Sequence, residues 1–335
     1  MFWRVQALNY LISKFRKEVN EMKKGISLLV VALMIMSLIF PGCSRSTSSQ
    51  KKFKIGIDNF GQANFFARIG KASMTDEIIK NGGEVIATVS DNVPARIAAI
   101  ENMIAQGVDA IIIEEGDIAE AAAPLREAKK KGIIIGSMDA GDADFVDVWS
   151  TSDNYQLGKE SAQKLMDYIG GKGNIVVIYN DLGAMIRTRI AALHDVLGNY
   201  PNVHIVASFT YAWPDYLPDV KAKMEAVLQA HPKPGDIVGV FAPFDGAGVA
   251  ACQAIREFGL QKYITVVGID GDPEAYKEMQ RPDACFKFTE AQDPDRIARS
   301  VVDAVFELLK GHKIPNRIIY VPGKPITKDN IPAGS

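Results

Sequence analysis

The residues with most to offer chemistry are acids and amides that stand where apolar runs end. They are Asp58-Asn59, Glu114-Glu115, Asp139, Asn180-Asp181, Asp245 beside Phe244, Asp270 and Gln292. Aromatic residues lie close to them in sequence: Phe65, Phe66, Tyr211, Trp213 and Phe244. Planar carboxylates and amides bind vicinal hydroxyls by paired hydrogen bonds, and aromatic faces pack on the apolar C–H face of a sugar ring. The combination points to recognition of a polyhydroxylated small molecule. Each feature alone has a plainer use, since acids at strand ends commonly cap helices, and that is the reading for Asp245. Asp139 and Asp270 also form a carboxylate pair of the kind glycosidases use, but accepting from hydroxyls explains both without a bond to break. No Walker A loop, Ser nucleophile elbow or HExxH motif occurs, and His194, His204, His231 and His312 show no ligand spacing. The chain is therefore not expected to be an enzyme, and no metal or cofactor is expected.

Those residues need a scaffold, and the chain supplies a regular one. Apolar or β-branched runs occur at Lys54–Asp58, Val85–Ser90, Ala110–Glu114 and Ile133–Asp139. A second series follows at Asn174–Asn180, His204–Phe209, Asp236–Ala242, Thr265–Asp270 and Cys285–Ala291. Runs apolar along their whole length fit strands covered on both faces. Helix-length segments lie between them, at Pro94–Gln106, Ile118–Lys131 and Gln156–Ile169. In the first, Ile97, Ile100, Met103 and Ile104 share a face, Asp91 or Asn92 caps the start, and Gly107 suits the end. Strand–helix repetition of this kind makes doubly wound parallel sheets, and the number of strands predicts two of them, divided near Ser150–Asn154. The fold class is α/β. In open sheets of this type ligands sit beyond the carboxyl ends of the strands, where the polar residues fall. Gly246, Gly248 and Ala251 form an incomplete dinucleotide fingerprint, better explained as small residues for packing a helix on a sheet.

At 335 residues the chain is long for one core and ample for two lobes. Its 47% hydrophobic and 23% charged residues exclude a disordered chain, and a net charge of −2 gives no electrostatic grip on nucleic acid. Three cysteines make no disulfide scaffold. Cys252 and Cys285 read as buried thiols, although an exported protein permits a disulfide between them. The N-terminus reads as an export signal: Met22-Lys23-Lys24 is a basic start, Gly25–Phe40 is uninterruptedly apolar yet short for a spanning helix, and Pro41-Gly42-Cys43 ends it. The competing reading is an uncleaved anchor. Met22 is the better start, with residues 1–21 upstream of it. Residues 44–52, Ser-rich and polar, read as a flexible tether.

Two resemblances follow from these residues. The Gly42-Cys43 junction resembles the lipobox of bacterial lipoproteins, which implies cleavage before Cys43 and lipidation of its thiol. From Phe53 to about Ala333 the chain resembles the type I periplasmic sugar-binding proteins of the ribose and galactose kind that serve ABC importers. The resemblance is carried by Phe65-Phe66 after the opening strand, Asp139 in IIGSMDA, Ser152-Asp153-Asn154, Arg189 in Arg187-Thr188-Arg189, Trp213 in YAWPD, Asp270 in VVGIDGDPEA, Gln292 in TEAQDP and the closing PITKDNIP. It implies two lobes joined by three crossovers, Phe53–Ser152 with Asp293–Ile314 and Asp153–Gln292 with Pro315–Ile331. It also implies a ligand set of Phe65, Phe66, Glu114, Asp139, Arg189, Trp213, Phe244, Asp270 and Gln292. One phenylalanine of the pair is expected in the core and the other at the ligand. The departures are informative: Ala140 stands where Arg follows the family's Asp, Phe244 replaces an Asn, and Glu114 or Glu115 occupies another Asn position. Ribose is therefore not carried over.

The expected function is an extracytoplasmic, lipid-tethered receptor, monomeric, that binds a monosaccharide or related polyol and delivers it to an ABC permease. A receptor presenting its ligand to a chemoreceptor or sensor kinase is the alternative. A lac repressor-type regulator shares the fold but is disfavoured, because an export signal stands where a DNA-binding headpiece belongs.

Overall fold

A computed structural model describes residues 13–14, 16–21, 52–181 and 183–333. Residues 16–21 are helical, and Lys52 onward forms a separate compact unit. Cys43 and residues 44–51 lie outside the described residues. No helix among the described residues is long and apolar enough to cross a membrane.

From Lys52 the chain builds two six-stranded sheets. The first contains β1 (Lys54–Phe60), β2 (Glu84–Ser90), β3 (Ala110–Glu114), β4 (Ile134–Met138), β5 (Val148–Thr151) and β11 (Ile318–Tyr320), in the order β11-β5-β4-β3-β1-β2, all parallel. The second contains β6 (Gly173–Tyr179), β7 (Val203–Thr210), β8 (Gly239–Phe241), β9 (Thr265–Asp270), β10 (Phe286–Ala291) and β12 (Lys324–Ile326), in the order β12-β10-β9-β8-β6-β7, parallel except for β12. In each sheet the strand order reverses beside the first strand, β1 or β6, which opens a crevice at the carboxyl ends. The helices are α1 (Phe65–Lys80), α2 (Val93–Ala105), α3 (Ala122–Lys130), α4 (Asn154–Ile169), α5 (Ala184–Leu197), α6 (Tyr216–Ala230), α7 (Asp245–Glu257), α8 (Pro273–Met279) and α9 (Pro294–Leu309). Strands such as β3, buried at every residue, explain why the apolar runs do not alternate.

The doubly wound, two-sheet α/β expectation is met, with three crossovers, β5 to α4, β10 to α9 and β11 to β12. The third differs in place. Ile318–Tyr320 pair with Trp149–Thr151 in the first sheet, so the chain passes to the second lobe at 321–323 rather than at Pro315. Three residues at a sheet edge carry too little pattern to declare themselves. Ile118–Lys131 is also divided, into a 3-10 turn (Ile118–Ala121) and α3. Pro124 lies in the first turn of α3, where its missing N–H costs nothing, and it disfavours a helix running through it. Asn92, not Asp91, caps α2, accepting from Ala95 N at 2.9 Å. Cys252 and Cys285 are joined in a disulfide, with Cα atoms 6.1 Å apart, which corrects the reading of two free thiols. Gly246 and Gly248 serve packing: a Cβ there would meet Tyr216 at 2.6 Å and Phe286 at 2.5 Å.

Candidate functional site

The carboxyl ends of both sheets line one cleft, about 580 Å³ of space between atoms and partly open to solvent. Its first-lobe wall is anchored from behind. Arg96 on α2, 1% exposed, donates Nε to Asp58 Oδ2 (2.8 Å), Nη1 to the Glu115 carbonyl (2.8 Å) and Nη2 to the Glu114 carbonyl (2.7 Å). Asp58 also accepts from Thr88 and Ser90. A buried ion pair holds only when its remaining hydrogen-bonding groups are satisfied, as here. The guanidinium lies 4.7 Å from the ring centroid of Phe60, whose side chain lines the cleft.

Beyond β3 the backbone enters the left-handed region at Glu115 (φ 51°). The two glutamates part there. Glu114 turns inward, fully buried, accepting from Asn59 Nδ2 and packed against the bare Cα of Gly70. Glu115 lines the cleft, with Oε1 accepting from Asn64 Nδ2 at 3.0 Å. The Asn64 Oδ1 in turn caps α1 through Ala67 N (2.7 Å). Burial, with the neighbouring Glu115 charge, pushes Glu114 well above the carboxylate range. Burial, with Asp139 adding to it, pushes Glu115 up to about 7 against the opposing Asn64 hydrogen bond. Asp139 follows β4, also left-handed (φ 52°), and its Oδ1 accepts from Thr151 Oγ1 and from Asn154 Nδ2 (3.0 Å).

The second-lobe wall is organised by Arg189 on α5, 3% exposed. It donates Nε to Asn154 Oδ1 (2.8 Å), Nη1 to the Pro243 carbonyl (2.8 Å) and Asp270 Oδ1 (3.1 Å), and Nη2 to Gln292 Oε1 (2.6 Å). The bare Gly158 on α4 lets α5 approach this closely; a Cβ there would lie 2.7 Å from the Arg189 backbone. Asp270 has φ 126°, and the turn after it is held by Asp245 Oδ2, which accepts from Gly271 N and Asp272 N, both at 2.8 Å, and from Thr289 Oγ1 at 2.9 Å. Asp245 is thus not the cap of its own helix: Phe244 holds that position without a side-chain bond. Burial raises Asp270 well above its ordinary value, and Arg189 opposes the rise.

An aromatic wall completes the cleft. The Trp213 indole is stacked on Tyr216 (5.9 Å, 12°) and lies parallel to Phe60 of the other lobe (6.4 Å, 2°). Tyr211 and Phe244 follow at 5.2 Å. Gly61 brings the first lobe against the indole, since a Cβ there would meet it at 2.7 Å. The lobes also touch where Ala184 N donates to the Gly116 carbonyl (3.1 Å) and where Arg187 pairs with Asp117.

Of the residues expected at the ligand, Asp139, Arg189, Trp213, Phe244, Asp270 and Gln292 come together in the cleft. Three do not. Phe66 is core, Phe65 is half-buried outside the cleft lining, and Glu115 takes the place expected of Glu114. Phe60 supplies the first-lobe aromatic, because β1 runs two residues beyond Asp58. Asn64, Asn180, Met185, Ile186 and Tyr211 also line the cleft. Arg96 had a sequence signal: it shares the spacing of Ile100 and Met103, a cation on an apolar stripe.

A family model described as a periplasmic binding protein domain matches residues 55–313. The chain is 28% identical over 306 residues to the ribose import binding protein of Bacillus subtilis, covering 89% of this chain and 97% of that one. It is 27% identical over 294 residues to a xylitol-binding protein of Mycolicibacterium smegmatis, covering 87% and 81%. A solved ABC transporter solute-binding protein from Agrobacterium vitis, with bound allitol, superposes with a TM-score of 0.80 at 29% identity, covering 84% and 97%.

Proposed function

The chain belongs to the periplasmic binding protein family, and from that premise we propose that it is the extracytoplasmic receptor of an ABC importer for a monosaccharide or related polyol. One observation carries the reading: the carboxyl ends of both sheets bring carboxylates, a bound guanidinium and aromatic faces to a single cleft. Asp139 and Asp270 accept from ligand hydroxyls. Arg189, through its bonds to Asp270 and Gln292, fixes the direction in which those groups meet the ligand. Trp213 and Phe60 lie against the apolar face of the ring. Ligand contacts drawn from two lobes favour closure, because a ligand shifts a hinge equilibrium only through differential binding. Asp117 and Arg187 then pair across the mouth. The receptor binds without turnover, acts as a monomer, and is held to the membrane by lipid on Cys43.

Calorimetry with a panel of monosaccharides and sugar alcohols tests this. One solute should bind at one site per chain, and Asp139→Ala should abolish the heat. If no panel member binds, or Asp139→Ala binds as the parent does, the cleft is not the solute site. For the anchor, Cys43→Ser should release the protein from membranes; unchanged partitioning would contradict lipidation.

A further inference from the structure

The charges around the cleft do not balance. Three carboxyl side chains line it, Glu115, Asp139 and Asp270, against one guanidinium, Arg189. Arg189 is committed to Asp270 in an ion pair in which both side chains are at least nine-tenths buried. The next guanidinium inward, Arg96, is committed to Asp58. Among the described residues, Glu115 and Asp139 form no ion pair with Lys or Arg, and behind them stands the further buried carboxyl of Glu114. Oε2 of Glu115 and Nε2 of Gln292, the latter residue 8% exposed, meet no hydrogen-bond partner among the described residues. A neutral solute would satisfy lone pairs of Glu115 and Asp139 but bring no positive charge to a site that loses water as it fills, where a carboxylate is costly unless it is paired.

We infer that the ligand is a cation: a sugar or polyol bearing an ammonium group, taken up between Glu115 and Asp139. This rests on the reading of the cleft as the solute site. The free amide donor of Gln292 calls for an acceptor, which a hydroxyl supplies and an ammonium does not, so the ligand is an amino-polyol rather than a simple amine. The faces of Phe60 and Trp213 add attraction for a cation. Binding should also move protons. Glu115 is held up to about 7 by burial, with Asp139 beyond β4 adding to the rise and Asn64, Arg189 and Arg96 opposing it; Glu114 at the end of β3, and Tyr211 and Asp270 from the other lobe, also face it. An ammonium beside it favours the ionised form, so near pH 7 the complex releases up to about half a proton.

The test is a matched panel on the full chain: glucose with glucosamine, galactose with galactosamine, mannose with mannosamine, and the three N-acetylated forms, which keep the nitrogen but lose the charge. Thermal shift finds the binders, and calorimetry at pH 7 in two buffers of different ionisation heat counts protons. At least one amine should bind tenfold or more tightly than both its hydroxyl and N-acetyl counterparts, with proton release. Glu115→Gln should narrow that preference below threefold and remove the release. A hydroxyl or N-acetyl form that binds as tightly as its amine overturns the inference and leaves the solute reading standing. A panel in which nothing binds overturns both.

Discussion

Arg189→Met is the substitution with the largest consequence to work from the structure. The native guanidinium lies 3.1 Å from Asp270, and the two side chains are 3% and 5% exposed. Methionine fills similar space without charge, so Asp270 is left buried and uncompensated. Removing one partner of a buried pair costs about 3–5 kcal/mol. At about 2–4 °C per kcal/mol for a domain near this size, the melting temperature should fall by roughly 6–20 °C. Asp270 is raised by burial against the pull of Arg189, so losing that guanidinium should raise it further. Asp270→Asn added to Arg189→Met removes the stranded charge and should recover part of the loss. Differential scanning calorimetry of the parent, both single variants and the double variant gives the coupling. A single variant that melts within about 2 °C of the parent would show that Arg189 does not organise the second-lobe wall. A double variant no more stable than Arg189→Met would show that charge is not the reason.

Other outcomes follow from the same geometry. Trp213→Ala should weaken ligand binding by more than tenfold, since full burial of a large apolar side chain contributes about 1.5–3 kcal/mol; unchanged affinity in a fluorescence or calorimetric titration would make the indole mere packing. Glu115 keeps its proton to about 7 when folded, against an ordinary 4.5, so the folded chain binds the extra proton between those values and stability falls as pH rises through them. Glu290, raised by burial to about 8, extends the fall upward. Melting temperatures from pH 5 to 7.5 should therefore decline, and Glu115→Gln should shallow the decline; an identical slope would contradict the burial of that carboxyl. Arg187→Ala removes a partly exposed pair with Asp117, and surface pairs contribute about 0–1 kcal/mol. It should speed ligand release up to about fivefold by stopped flow with little change in melting temperature, and an unchanged rate would deny the pair a part in closure.

What the sequence disclosed followed what its periodicities can carry. Long apolar runs announced both sheets, and the polar residues ending them announced the cleft, because a parallel sheet places its strand ends together whatever the helices between do. Legibility failed at single-residue scale. Glu114 and Glu115 are both strand-end acids, and only the left-handed turn at Glu115 decides which one faces the cleft. Phe60 was missed because the residues before it read as a strand end, although β1 continues to it. β5, β11 and β12 are three or four residues each, too short for a pattern; pairing with distant strands defines them. The role of Asp245 was unreadable for a related reason: its partners are backbone amides at 271 and 272, and backbone donors leave no trace in residue type.

The central claim, that the cleft holds a polyhydroxylated solute, is tested most directly by what the protein carries. Protein expressed in a host grown on rich medium and purified without added sugar can be denatured and its released small molecules identified by mass spectrometry, with Arg189→Met purified in parallel. A sugar or polyol should leave the parent at close to one per chain, amine-bearing if the charge reading is right, and be absent from the variant. A nucleotide, a peptide or an aromatic acid at that stoichiometry, or a polyol carried equally by both proteins, would contradict the account.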